Sequence, residues 1–212
     1  TAAGGTVASK QIYDPKAASY EAEVSEAKAS NPEAIVLIGF DESAKIVQEM
    51  LKQGVGPKDV PLYLVDGNLP NTLYKDLPKG PMESTQGTLP GAEASEECQS
   101  QLLEVNPDLE DFSYAPGAYD AAILIALAAQ AAGNDSGLAI GDTIKQVSAE
   151  GEKCTNYADC LALLEDGKDI DYDGMSGPID LNDVGDPSKA VMGIYTYGAD
   201  NTYTRTGSQE GD

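Results

Sequence analysis

Apolar and polar positions follow two different spacings over the first ninety residues of the chain. Four short segments have the apolar pattern of strands, at residues 6–12, 34–38, 60–67 and 83–89. Between them, apolar side chains recur three and four positions apart, as in helices, at residues 14–30 and 42–53, with a helical turn near residues 72–76. This β-α-β-α-β-(α)-β order predicts a parallel sheet with right-handed crossovers and helices on both faces.

The pattern becomes mainly helical beyond residue 90. Helices are predicted at residues 93–105, 115–133, 140–149 and 157–164, and strands at residues 177–181, 190–197 and 201–206. The Ala-rich segment 115–133 carries Asp120 near its start, and we interpret it as a long helix buried in a soluble core. Three of these helices have hardly any predicted strands near them in the sequence, yet their apolar faces must pack against a sheet. We therefore expect part of that sheet to come from sequence outside these residues.

Composition narrows the classes of function. The length of 212 residues is enough for one substantial domain or two small ones. Hydrophobic residues make up 41% of them, which is enough for a core. The chain has 36 acidic and 13 basic residues, a formal net charge of -23, and no His. This charge disfavours nucleic acid and anionic membranes as partners, because both bind to clustered Lys and Arg. The absence of His removes the usual general base near neutral pH and the commonest zinc ligand.

The three cysteines favour an oxidising compartment. Cys154 and Cys160 flank the segment TNYAD, a spacing that favours a disulfide closing a small loop. A metal site is a poor alternative, because the chain has no second Cys pair and no His to complete it. Cys98 is left over, and we interpret it as a partly buried thiol on a helix.

A ligand site is expected where the strands of the predicted sheet end. In parallel α/β sheets, ligands bind beyond the carboxyl ends of the strands. Two of those ends are the turn Gly39-Phe40-Asp41 and the pair Asp66-Gly67. Each residue also has an ordinary structural interpretation, because Gly and Asp are frequent in turns and an aromatic residue often packs in a core.

An acidic segment near the carboxyl end of the chain has the spacing of a calcium loop. Asp169, Asp171, Asp173, Gly174 and Asp180 follow the D-x-D-x-D-G pattern with a later acidic residue. Two features count against calcium. Asp replaces the usual Glu at the last position, and the residues that follow the Gly read as a strand rather than a helix. No metal is therefore predicted.

Four segments together resemble a known family, and they are SYEAEVSEAKASNPEAIVLIGFDESAKIVQEMLKQG, PLYLVDG, YDAAILIALAAQAAG and YDGMSGPIDLNDVGDP. In this order they resemble the branched-chain amino-acid (Leu/Ile/Val-type) periplasmic substrate-binding proteins of ABC transporters. The resemblance covers essentially the whole chain. The segment CTNYADCLALLEDGKDIDYDGMSGP is similar to lipoprotein members from actinobacteria.

The resemblance implies an α/β fold, a three-layer sandwich with a mostly parallel sheet, which is the type I periplasmic-binding-protein lobe. Such proteins close two lobes, joined by three crossovers, around a ligand. By this mapping, residues 1–90 and 190–212 form lobe two. Residues 91–189 form the returning part of lobe one, whose first segment is absent from the chain.

The resemblance also implies roles for the candidate residues. Asp66 matches an acidic residue that contacts the ammonium group of the ligand, and Phe40 matches an aromatic residue that lies against the ligand. Asp41 could reach the ligand, and Gly39 and Gly67 could let the backbone approach it. The expected partners are a small amino-acid or amide-like ligand and an ABC permease, with no cofactor. An N-terminal lipid anchor outside this chain would be the only link to a membrane, at an extracellular or periplasmic location.

Two alternative functions stay open at this point. One is a ligand-sensing extracellular receptor domain of the same fold. The other is a glycosidase-like enzyme that would use Asp41 and Asp66, the carboxylates at neighbouring strand ends. No G-x-S-x-G, phosphate-loop or dinucleotide motif favours another enzyme class. Glu42 is interpreted as a helix residue, where its charge favours the first turn.

Overall fold

The computed structural model describes residues 4–211 and divides into two units. Unit 1 comprises the described residues up to Leu89 together with Ile194–Gly207. Unit 2 comprises Pro90–Gly193 and the described residues from Ser208 onward. The predicted assignment of these parts to two lobes stays a prediction.

The helices and strands follow the predicted order over most of the chain. In chain order they are α1 (Glu21–Ala29), β1 (Ile35–Leu37), α2 (Ser43–Gln53), β2 (Leu62–Leu64), β3 (Gln86–Pro90), α3 (Glu96–Val105), α4 (Ala115–Ala132), α5 (Gly137–Thr143), β4 (Glu152–Cys154), α6 (Tyr157–Glu165), β5 (Ile170–Gly174), β6 (Gly177–Pro178), β7 (Ala190–Tyr197) and β8 (Tyr203–Gly211). Short 3-10 turns at Asp66–Asn68 and Asn71–Leu73 lie between β2 and β3.

A five-stranded sheet with the order β1-β2-β3-β7-β8 is built around unit 1. The first three strands are parallel, with Ile35 opposite Leu62 and Leu37 opposite Leu64. β7 runs in the opposite direction, because Ser84 N donates to Tyr197 O while the later residue Gly91 N donates to the earlier residue Val191 O. The sheet is therefore mostly parallel at the edge that carries the candidate residues.

The core of unit 1 lies on one face of these strands. Leu62 and Leu64 are buried there, and Val47 and Met50 of α2 are 0% and 3% exposed in the same core. α2 ends at Gly54, whose left-handed backbone (φ 71°) lets the chain turn back towards β2. Tyr63 on the opposite face is 41% exposed, so the described residues of unit 1 leave part of that face open.

The strand predicted at residues 6–12 is wrong. No strand is assigned there, and Val7 and Ile12 are 70% and 91% exposed. An alternating pattern shows that a segment could lie on a sheet, but a strand forms only when a neighbour pairs with its backbone. The segment has no regular secondary structure and leads to Tyr13, whose hydroxyl contacts the carbonyl oxygen of Ile38 just after β1.

Unit 2 contains a small three-stranded sheet, of which the sequence pattern predicted only the strand at residues 177–181 that includes β6, and missed β4 and β5. β4 and β5 are parallel, and β5 and β6 are antiparallel. The expectation that these helices have hardly any strand of their own is therefore corrected. β5 contains the acidic residues Asp171 and Asp173, so its sequence did not indicate a strand, although Ile170 and Tyr172 are fully buried.

The long apolar helix α4 is buried along one side only. Leu124, Leu127 and Ala128 lie in the core of unit 2, whereas Ile125 is 49% exposed. Among the described residues it is the one helix long and apolar enough to cross a membrane by length and composition. Its polar residue Asp120 accepts hydrogen bonds from Tyr172 and Ser176 of unit 2, so α4 packs as a helix of this unit.

The carboxylate of Asp120 is buried and fully surrounded by donors. It accepts hydrogen bonds from Tyr172 Oη (2.8 Å), Met175 N (2.9 Å), Ser176 N (2.7 Å) and Ser176 Oγ. A side chain on Gly174 would collide with this carboxylate. Asp120 thus fixes the turn between β5 and β6 against α4, and its charge is stabilised by hydrogen bonds.

The predicted disulfide joins Cys154 and Cys160 and is confirmed in the structure. It connects the end of β4 to α6, where the side chain of Asn156 caps the helix by accepting from Asp159 N. Cys98 lies in helix α3, as predicted, but is 2% exposed, so the free thiol is buried more completely than predicted. Burial raises the pKa of this thiol, and the nearby Asp120 adds to the effect.

Replacing Asp120 tests this network. We expect Asp120→Ala to lower the free energy of unfolding by about 3 kcal/mol or more, because several buried donors lose a charged acceptor. Urea denaturation followed by circular dichroism measures the change. The exposed Asp135, just beyond the end of α4, provides the control Asp135→Ala, which we expect to stay within about 0.5 kcal/mol. Equal effects of the two substitutions would contradict the assignment.

Removing the disulfide tests its contribution to stability. Reduction, or the double substitution Cys154→Ser with Cys160→Ser, should lower the free energy of unfolding by about 2 kcal/mol, because the unfolded chain gains loop entropy. The measurement is the urea midpoint with and without reductant. The double variant is the control, since reductant should not change its midpoint. A wild-type midpoint that is insensitive to reductant would contradict the prediction.

Candidate functional site

The turn after β1 is closely packed around Gly39. A Cβ atom at this position would lie 2.7 Å from Glu42 Oε1 and 2.7 Å from Ser43 Oγ, and it would collide with Tyr13 Oη. Real Cβ atoms do not approach heavy atoms this closely. Gly39 is therefore required by its surroundings, whether or not a ligand also approaches its backbone.

The turns after β1 and β2 are in contact. A Cβ atom on Gly67 would lie 2.8 Å from Phe40 Cε1 and 2.8 Å from Gly39 O. The ring of Phe40 thus packs directly on the backbone of Gly67, while the Phe40 residue remains 69% exposed. The structure brings together three of the predicted site residues, and it leaves an aromatic surface open to solvent beside them.

The two predicted carboxylates flank this contact in the sequence and are exposed. Asp41 follows Phe40 in the turn before α2, and Asp66 begins the 3-10 turn that contains Gly67. Their side chains are accessible to a solute from outside unit 1. Direct ligand contacts of all five predicted residues remain predictions.

Sequence reasoning missed Asn68, which holds these turns in place. Its side chain is fully buried, and Nδ2 donates to Leu37 O (3.0 Å) and Ser43 Oγ (3.0 Å). Its Oδ1 accepts from Val65 N (2.9 Å). One amide therefore connects the end of β1, the start of α2 and the end of β2. The available signal was an amide side chain directly after a predicted strand end, where Asn often bonds to local backbone.

Sequence reasoning also missed Tyr13 and undervalued Glu42. Glu42 Oε1 accepts from Phe40 N (3.0 Å) and from Tyr13 Oη (2.9 Å). Partial burial works to raise the pKa of Glu42, but these hydrogen bonds prevail and hold it below its usual value. Burial raises the pKa of Tyr13, and the carboxylate of Glu42 raises it further, so the hydroxyl stays protonated.

The calcium-like segment is organised around a lysine. Lys153 Nζ lies 2.8 Å from Asp171 Oδ2 and 2.9 Å from Asp173 Oδ2, and hydrogen bonds to these carboxylates raise the pKa of Lys153. Asp169 instead accepts from Gln146 Nε2 at 3.3 Å. Three carboxylates do not converge, and the described residues contain no cluster of His, Cys, Asp and Glu suited to a metal. The Lys153 ammonium lies where a bridging cation would be needed.

A model of the periplasmic binding protein family matches residues 1–183. The chain belongs to the periplasmic binding protein family. The resemblance noted from sequence is thus confirmed, and it places the chain among binding proteins rather than in a family of enzymes. No match is found among curated protein sequences.

Solved structures of this family share the fold at low sequence identity. A leucine-binding protein from Thermotoga maritima has a TM-score of 0.65 and 17% identity, over 91% of this chain and 49% of its own. A branched-chain amino-acid transporter substrate-binding protein from Streptococcus pneumoniae, in complex with isoleucine, has a TM-score of 0.62 and 18% identity, over 92% and 49%. A fatty acid ABC transporter substrate-binding protein from Thermomonospora curvata has a TM-score of 0.64 and 13% identity, over 94% and 49%.

The chain spans about half the length of these solved relatives. At such identities the likeness establishes the fold, and the predicted α/β fold of the type I periplasmic-binding-protein lobe is confirmed. It does not transfer a ligand, since these relatives include both amino-acid and fatty-acid binding proteins.

Replacing Asn68 tests whether its amide holds the two turns. We expect Asn68→Ala to lower the free energy of unfolding by about 2–3 kcal/mol, because the buried carbonyl of Leu37 and the amide of Val65 lose their partner. Urea denaturation measures the change. Gln101→Ala, at an exposed position in α3, serves as the control and should stay within about 0.5 kcal/mol. A loss at Asn68 no larger than that of the control would refute the role.

Proposed function

We propose that this chain is part of the extracellular solute-binding component of an ABC importer, which captures a small amino-acid-like ligand for a membrane permease. The observation that carries the proposal is the exposed ring of Phe40 packed on Gly67, where Asp41 follows Phe40 and Asp66 precedes Gly67 in the sequence and both carboxylates are exposed. Membership of the periplasmic binding protein family supports a binding role without catalysis.

The chemistry of this half-site suits a ligand with an apolar body and a cationic amine. The exposed face of Phe40 offers apolar contact area to a ligand side chain. A carboxylate such as Asp66 forms a charge-assisted hydrogen bond with an ammonium group, which is stronger than a bond between neutral groups. An aliphatic amino acid carries both features.

The proposed location and partners follow from the same role. The disulfide between Cys154 and Cys160 is suited to an oxidising environment outside the cytoplasm. In the proposal, the full-length protein is held at the cell surface by an N-terminal lipid anchor or is periplasmic, and it delivers its ligand to an ABC permease.

Calorimetric titration of the full-length protein tests the proposal. The panel contains amino acids, their amides, urea-like solutes and fatty acids. We expect an amino acid or amide to bind, and Asp66→Asn to weaken its affinity about tenfold or more, because the charged hydrogen bond to the amine is lost. Asp76→Asn, an exposed carboxylate of unit 1 in the loop after Asn71–Leu73, is the matched control and should bind as wild type does.

The outcomes of this titration separate the candidate ligands. Binding of fatty acids alone, unaffected by Asp66→Asn, would contradict the amine site and favour an apolar ligand. Binding to no amine-bearing solute would remove the assignment of Asp66. An effect of Asp76→Asn equal to that of Asp66→Asn would show that only the general field of the acidic surface is acting.

A further inference from the structure

We propose that Tyr13 and Glu42 are positioning residues that fix Phe40 for contact with ligand. This inference rests on the proposed function and deepens it, since it assigns a task to two residues outside the predicted site. Neither needs to touch the ligand, because both act on the backbone that carries Phe40.

The two side chains form a bridge across the turn. Tyr13 Oη lies 2.9 Å from Ile38 O and 2.9 Å from Glu42 Oε1. The same Glu42 oxygen accepts from Phe40 N at 3.0 Å. Because a tyrosine hydroxyl has one proton, Tyr13 shares it between the carbonyl before Gly39 and the Glu42 carboxylate, and that carboxylate holds the amide after Gly39. A single hydroxyl and a single carboxylate oxygen thus determine the path of the turn.

The packing around Gly39 leaves little freedom for this bridge to shift. The hydroxyl of Tyr13 lies directly over the α-carbon of Gly39, in the space that any larger residue would fill. On the other side, the ring of Phe40 rests on Gly67. Phe40 is therefore held at its backbone from one direction and at its ring from another.

In this proposal, the support at the backbone and the contact with Gly67 limit the freedom of an exposed aromatic side chain. Phe40 is 69% exposed, so the core of unit 1 does not hold its side chain in place. An apolar surface that is already ordered binds a ligand without a further loss of side-chain freedom. Glu42 and Tyr13 hold the backbone of Phe40 in place, as burial would do for a core residue.

Tyr13 reaches the turn from a segment with no regular structure. Its ring packs edge-on against Tyr20, with centroids 5.6 Å apart, and Tyr20 Oη donates to Pro15 O at 2.9 Å. Tyr20 itself is 3% exposed in the core of unit 1. The segment before α1 is thus anchored next to the turn through Tyr13 and Tyr20, although it forms no strand.

A double-mutant cycle tests the proposal by calorimetry of the full-length protein. The probe is whichever amino acid, amide or fatty acid of the panel binds wild type most tightly. We expect Tyr13→Phe, which removes one oxygen, to weaken its affinity about three- to tenfold. In a Phe40→Ala background the same substitution should have no further effect, because there is no ring left to position. Tyr157→Phe in α6 of unit 2 is the matched control and should bind normally.

Comparing two substitutions at Glu42 separates positioning from charge. Glu42→Gln keeps an oxygen that can accept from Phe40 N, whereas Glu42→Ala removes it. We expect Glu42→Gln to retain most of the affinity that Glu42→Ala loses. Equal losses in the two variants, or an undiminished effect of Tyr13→Phe in the Phe40→Ala background, would overturn the proposal.

A measurement without ligand keeps this inference separate from the proposed function. Hydrogen exchange of the Phe40 amide, followed by NMR, should be clearly faster in Glu42→Ala than in wild type, while amides in the middle of α2 keep their protection. If no member of the panel binds, the proposed function fails, and this result still tests whether Glu42 holds Phe40. An unchanged exchange rate of the Phe40 amide in Glu42→Ala would overturn the positioning role.

Discussion

The candidate site of unit 1 depends on the buried side-chain amide of Asn68. Parallel strands end in backbone groups that have no further strand partner, and such groups must be satisfied when they are buried. Asn68 bonds to Leu37 O at the end of β1, to Val65 N at the end of β2 and to Ser43 Oγ at the start of α2. Three elements are thereby held at one point, and the turns that follow β1 and β2 come close enough to touch.

Close approach of the two turns then determines which residues can occupy them. Gly39 is surrounded by side-chain oxygens, and Gly67 lies beneath the ring of Phe40. Both glycines are needed for packing, so their presence alone would not identify a binding site. The exposed ring adds to this packing, because a large apolar side chain that rests on the backbone of the neighbouring turn and is open to solvent is available to a ligand.

Strands and helices could be predicted from sequence where apolar residues formed continuous or helically spaced runs. β1, β2 and α2 follow this rule, and their order placed Gly39, Phe40 and Gly67 at one sheet edge. β5 was missed because its charges are neutralised by Lys153, a partner that only the folded chain brings near. Tyr13 was missed for a related reason. It follows a segment whose alternating pattern predicted a strand that does not form, and its partner Glu42 is 29 residues away in the sequence.

The charge of the chain adds a constraint on the ligand. With 36 acidic and 13 basic residues, the protein has a negative field that repels anions and attracts cations. Lys153 is already committed to two aspartates of β5. An anionic group approaching the turns of unit 1 would meet Asp41 and Asp66, whereas an ammonium group would be attracted to them. The net negative charge of the chain and the carboxylates of Asp41 and Asp66 therefore both favour a cationic group and disfavour an anionic one. The carboxylate of an amino acid would have to be held by donors other than the acidic side chains of these two turns.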